Sequence, residues 1–282
     1  MRRIVVILSL SLLSLAGWGQ HRFTQFYPID NILSKELIKS ITKDTSGYLW
    51  LATDDGVLRF DGNQTRFFYK GLSSQYTKSF LMTRSGQLFL VTDVGVQEIT
   101  TVQDSIYFKS LVIGDQVYDD RLNYPKSAYE DRSGNILVGE MNAIVRYNAK
   151  GEKRYELGED FRSIDYHRSF SFAEDAFGNL WIAPFKGPLL FYDKNTEVIE
   201  RIAYQYPFTG AKGIVCVKGD YLLIGGREGI MVMKIDSDHA ILSRALIPEV
   251  KEVTALNAIS DSDVYVGTAA SGLYYLNFSG DT

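Results

Sequence analysis

The residues best equipped for chemistry sit in three polar, aromatic stretches. Tyr166, His167 and Arg168 set a phenol, an imidazole and a guanidinium side by side within EDFRSIDYHR at 159–168. GDQVYDDRLNYPK at 114–126 carries Tyr124, and YQYPFTGAK at 204–212 carries Tyr206. Shorter polar turns add Asp54, Asp55, Asp93, Glu140, Asn142, Lys186, Arg227 and Glu228. Gathered round one concavity, tyrosine faces, cations and carboxylates hold a polar soluble ligand such as an oligosaccharide. The expected ligand contacts are Tyr124, Glu140, Tyr166, His167, Arg168, Lys186, Tyr206 and Arg227. A competing use of the same residues is acid–base catalysis in an exported lyase or glycosidase, with His167, Tyr166 and Glu140 as its first groups. The plainer alternative is a set of solvated loops in which Arg227 pairs with Glu228 or with water.

Several chemistries are excluded by count and spacing. Cys216 is the sole cysteine, so no internal disulfide or CxxC pair exists, and His21, His167 and His239 are scattered. No metal site and no cofactor are expected. The recurring Asp-x-x-Gly turns supply one carboxylate each, far from the ligand set of a calcium loop. Gly225-Gly226-Arg227-Glu228-Gly229 lacks the Lys-Ser/Thr and strand–helix setting of a phosphate loop. A formal charge of −4 without a basic cluster argues against nucleic acid as a partner.

The elements that position these residues are strands. Among 282 residues, Tyr (18) and Phe (16) are abundant while Pro is scarce (6), a composition that favours pleated sheet. The segment Ser40 to Asp61 recurs, degraded, from Ser79, Ser127, Ser171, Gly213 and Thr254. Aligning Ala52 with Val91, Gly139, Ala183, Gly225 and Gly267 gives spacings of 39, 48, 44, 42 and 42 residues. Such a period, made only of strand-like runs, predicts an all-β propeller of four-stranded antiparallel blades with six repeats. Each copy runs from strand a through a tight turn, where Gly47, Gly86, Gly134 and Gly178 supply a positive φ. Strand b follows, pairing a large residue (Trp50, Phe89, Leu137, Trp181) with a small one two positions on, then strands c and d. Trp50 and Trp181 are expected in the core. The blades are expected at roughly 38–70, 78–109, 126–156, 169–203, 213–244 and 254–277. The last stops after strand c, and residues 22–27 (RFTQFY) are expected to supply its missing outer strand and close the ring. In this architecture the d-to-a connections and b-to-c turns share one face, which carries the ligand contacts.

Residues 1–19 read as a signal peptide: Arg2 and Arg3, a twelve-residue apolar run from Ile4 to Leu15, then Ala16, Gly17 and Gly19. The run is too short to span a membrane. The remainder, 20–282, is expected to be exported to the periplasm or cell surface and to fold without disulfides.

ITKDTSGYLWLATDDGVLRFDG, from Ile41 to Gly62, closely resembles the two-component regulator propeller repeat. That repeat forms the periplasmic sensor region of hybrid histidine kinase receptors typical of Bacteroidetes. The resemblance is strong at 40–62 and 171–193 and extends, weaker, over nearly all of 20–282. It implies a non-catalytic sensor that passes a ligand-dependent shift to a membrane-bound signalling partner or to a C-terminal receptor part outside this sequence. The sequence departs from the family in repeat number, since such receptors usually form seven-bladed rings and continue into an immunoglobulin-like segment, a membrane helix and an output domain. A third possibility is a protein-interaction scaffold in the envelope, because the fold itself does not choose a function.

Overall fold

A computed structural model describes residues 37–103, 105–113, 124–157, 170–202 and 210–278. These contain twenty-three strands and no helix. Blade 1 comprises β1 (Ser40–Lys43), β2 (Leu49–Ala52), β3 (Val57–Phe60) and β4 (Thr65–Phe68). Blade 2 comprises β5 (Thr77–Met82), β6 (Leu88–Thr92), β7 (Gly95–Val102) and β8 (Ser105–Ile113). Blade 3 has β9 (Ser127–Glu130), β10 (Ile136–Gly139), β11 (Ala143–Asn148) and β12 (Gly151–Glu156). Blade 4 has β13 (Phe170–Glu174), β14 (Leu180–Pro184), β15 (Leu190–Asp193) and β16 (Val198–Arg201). Blade 5 has β17 (Gly213–Val217), β18 (Tyr221–Gly225), β19 (Ile230–Ile235) and β20 (Ile241–Ile247). Blade 6 has β21 (Val253–Ala258), β22 (Asp263–Thr268) and β23 (Leu273–Asn277). Each sheet is antiparallel with its strands in chain order, and the first strands of successive blades lie beside one another, so the blades form a six-bladed propeller. Blade 6 shows three strands among the described residues. The expected closing strand, 22–27, lies outside them.

The grammar of each blade follows from which faces it buries. Strands β6 and β14 are buried at every position, because a middle strand is covered by a blade on either side. Outer strands such as β16 and β20 are mostly exposed and carry Glu200, Arg201 and Arg244. Apolar clusters fill the spaces between blades 1 and 2, 2 and 3, 3 and 4, 4 and 5, and 5 and 6. Trp50 and Trp181 are buried, each contributing on the order of 1.5–3 kcal/mol of transfer free energy. The expected wedge-beside-hole pairing within strand b has a more specific form. Phe170 of blade 4 fills the space above Gly139, and Val253 of blade 6 the space above Gly225.

The a-to-b turns are clasped by their aspartates. Asp44 Oδ1 accepts from the Ser46 and Tyr48 amides at 3.0 and 2.9 Å, and its Oδ2 accepts from the Trp50 indole at 2.8 Å. Asp175 accepts from Asn179 N–H and from the Trp181 indole at 2.9 and 2.8 Å. Gly47, Gly86, Gly134 and Gly178 occupy positive φ at 94°, 86°, 80° and 84°, as the turns require.

Candidate functional site

The strand register fixes what stands at the mouth of the axis. Ser40, Ser79, Ser127 and Gly213 pair with Ala52, Val91, Gly139 and Gly225. The residue just before each is a lysine: Lys39, Lys78, Lys126 and Lys212. Backbone bonds from Lys39, Lys126 and Lys212 to the carbonyls of Ala52, Gly139 and Gly225 (2.9, 2.8 and 2.9 Å) hold three of them at the level where strand b ends. Lys78 is the bulged residue between Thr77 and Ser79, blade 4 breaks the series with Phe170, and blade 6 has a bulge between Val253 and Ala255. The entry into β5 is also tied to blade 1, since the Thr77 hydroxyl donates to the Thr53 carbonyl at 2.8 Å.

Each lysine lies against an aromatic ring. The ammoniums of Lys39 and Lys78 are both 5.7 Å from the Tyr76 centroid. Lys126 is 5.0 Å from Tyr124, and Lys212 is 4.5 Å from Phe185. Cation–π contact stabilises a charge there without consuming all of an ammonium's donors. Lys39 also pairs with Asp54. Burial lowers the Lys78 pKa, as does the Lys39 charge, while Asp93 and Asp54 oppose the shift. Lys126 is pushed down to about 8, first by burial and then by Lys78, with Asp93 opposing and Lys39 adding to the fall. Blades 1 to 3 thus present three ammoniums and two carboxylates within mutual electrostatic reach, edged by Tyr76 and Tyr124. Such an arrangement has the chemistry to hold a polar solute carrying acceptor oxygens or charge.

The expected contacts distribute unevenly over this face. Tyr124 joins Lys126, as described, with its backbone at φ 52°. Glu140 is fully buried and pairs with Arg154, which also binds Glu156. It is part of the wall beneath the face. Lys186 is exposed on the b-to-c turn of blade 4. Arg227, on the b-to-c turn of blade 5, pairs with Glu252 at 3.0 Å, not with its neighbour Glu228. Tyr166, His167, Arg168 and Tyr206 lie outside the described residues. Lys39, Lys78 and Lys212, together with Tyr76 and Phe185, were not among the expected contacts. The signal was present, because each of the four lysines immediately precedes the first aligned residue of its repeat.

No family model matches the sequence, and no curated protein does either. Solved structures match in fold. One is the extracellular domain assigned to the hybrid two component system BT3049 from B. thetaiotaomicron: TM-score 0.65, 17% identity, 87% of this chain and 34% of that one. Another is virginiamycin B lyase from Staphylococcus aureus: TM-score 0.62, 15% identity, 87% and 88% of the two chains. A third is a gluconolactonase, XC5397, from Xanthomonas campestris: TM-score 0.55, 14% identity, 86% and 88%. At these identities the likeness establishes the propeller and nothing finer. It also corrects one expectation. The chain was expected to be non-catalytic, yet the same fold over nearly the same length carries a lyase and a lactonase. The architecture offers no ground for excluding catalysis.

Proposed function

We propose that this chain is an exported ligand-binding propeller, serving as the sensor part of a two-component signalling receptor. Its ligand is a polar solute, an oligosaccharide being the leading class, taken at the mouth where the inner strands begin. The observation that carries this reading is the lysine repeated just before the first aligned residue of the inner strand in four blades, backed by aromatic rings and interleaved with Asp54 and Asp93. The fold shared with an extracellular receptor domain supports it, with this chain spanning about a third of that structure's length. The signalling partner is then a membrane-bound protein or a further part of the same receptor. A second reading, an exported lyase or glycosidase working at the same face, is favoured by the nearly complete mutual coverage with the lyase.

Thermal unfolding of the full chain with a panel of soluble oligosaccharides, each mixture then analysed for products, separates the two. A ligand that binds only the folded state raises the midpoint. A rise with the sugar recovered intact, abolished in Lys78→Met, is the result expected of the sensor. A rise accompanied by cleaved sugar would establish the enzyme, and a midpoint unmoved by every sugar would rule out an oligosaccharide as the ligand.

A further inference from the structure

The opposite end of the propeller, where the a-to-b and c-to-d hairpins lie, has a concavity of its own. A cavity of 460 Å³ opens between blades 3 and 4. Blade 3 lines it from the turn at Asp131 and from the β11–β12 hairpin, which carries Arg146 and Lys150; blade 4 adds Tyr192, Lys194 and Glu197. Its volume lies within the roughly 300–1,000 Å³ of ordinary small-molecule sites. Every residue of this wall is among those described, independent of the mouth and its long connections.

The wall has spent its acceptors and left some of its donors uncommitted. Asp131 already accepts from the amides of Ser133 and Asn135, both at 2.9 Å, and from the Asn135 side chain at 2.7 Å. Glu197 accepts from Arg146 at 2.7 Å and from Lys153 at 3.0 Å, and its carboxyl is held down to about 2, chiefly by the Arg146 bond. Arg146 uses one terminal nitrogen, Nη1, for both Glu197 and the Tyr192 hydroxyl, the latter at 2.8 Å. Its Nε–H is buried with no acceptor. Nε and Nη2 form the edge of the guanidinium that grips a carboxylate with two parallel hydrogen bonds. Glu197 and Tyr192 therefore fix the guanidinium and leave that edge uncommitted. The Tyr192 oxygen accepts from Arg146 and Tyr155, so its own hydrogen remains to be donated. Lys150, beside it on the hairpin, uses only its backbone amide, bonded to Asn148 at 2.9 Å. A buried donor without an acceptor is costly and calls for a missing partner. Lys194 is itself paired with Glu174, so the uncommitted cationic groups of the wall are the outer edge of Arg146 and the Lys150 ammonium, beside two carboxylates that are both engaged.

We propose that this cavity is a second binding site, distinct from the mouth, for a small hydroxylated carboxylate of sugar-acid size. The ligand carboxylate lies between Arg146 and Lys150, and a ligand hydroxyl accepts from Tyr192. A ligand seated there touches both blades and ties them together, so it stabilises the blade 3–blade 4 contact.

Isothermal titration of the full chain with sodium D-glucuronate, with D-glucose as the uncharged counterpart, tests this directly. Glucuronate is expected to bind at one site and glucose not to bind. Lys150→Gln, an exposed change, should weaken glucuronate binding by about tenfold while leaving the unfolding midpoint in place. Tyr192→Phe should weaken it by several-fold, and Lys212→Gln at the mouth should leave it unchanged. The proposal is overturned by no heat with millimolar glucuronate or by equal binding of glucose. It is equally overturned if Lys212→Gln abolishes binding or if Lys150→Gln and Tyr192→Phe leave it intact. Failure here leaves the mouth reading standing, since the two sites share no residue.

Discussion

Asp44 and Asp175 hold the same post in blades 1 and 4, closing the turn with one oxygen and the strand b tryptophan with the other. Removing Asp175, which is fully buried, strands the Trp181 indole N–H and the Asn179 amide. Each orphaned donor costs about 1–3 kcal/mol. Asp175→Ala should accordingly lower the urea midpoint sharply, whereas Asp238→Ala on an exposed turn should barely move it. Cys216 is quiet for a different reason: burial pushes its thiol up to about 12, helped by the Asp175 and Asp220 charges. At pH 8 a thiol reagent should label native protein far more slowly than urea-unfolded protein, and equal rates would show the strand to be open. Lys126 gives a pH-dependent effect. Its pKa is about 8 in the fold against an ordinary 10.5. Below pH 8 it is protonated in both states and the burial penalty is fully present. Between about 8 and 10.5 the unfolded chain binds the extra proton, so stability rises with pH. Lys126→Met should be more stable than the parent at pH 7, with the difference shrinking towards pH 10.5 in paired urea titrations.

At the scale of the element, the hairpin and the blade contact follow different rules. Gly134 needs its positive φ but has open space around it, so Gly134→Ala should cost only about 1 kcal/mol. Gly139 has an ordinary backbone, yet a Cβ there would lie 2.6 Å from the Phe170 ring. Gly139→Ala should cost more, about 1–3 kcal/mol by overpacking, and chemical denaturation of the pair ranks them. This contrast also shows what the sequence makes legible. Strand period, Asp-x-x-Gly turns and core tryptophans depend on neighbours a few residues apart, and all were readable. The seat of Phe170 on Gly139 joins positions 31 residues apart, and the bonds from Arg146 to Tyr192 and Glu197 span 46 and 51. Such contacts exist only once adjacent blades are stacked. The lysine series lay between these cases: each member is local, but the pattern appears only when the repeats are set in strand register. The inter-blade clasps are similar. Arg132 donates to the Asp175 carbonyl at 2.6 Å and its amide to Glu174 at 2.8 Å, and Arg84 makes the same pair of contacts to Asp131 and Glu130.

For the whole molecule, successive apolar clusters from blade 1 to blade 6 make a scaffold whose stability is spread over many nearest-neighbour contacts. Such a scaffold leaves its two ends free to be varied, which is why the same architecture serves receptors and enzymes. On the proposed reading, the mouth formed by the starts of the inner strands is where a polar ligand acts. Hydrogen–deuterium exchange of the full chain, with and without a pool of soluble oligosaccharides, tests it most directly. Added protection is expected in the segments around Lys39, Asp54, Tyr76–Lys78, Asp93 and Tyr124–Lys126, with the outer strands unchanged. Protection confined to the outer strands, or none in any segment, would contradict it.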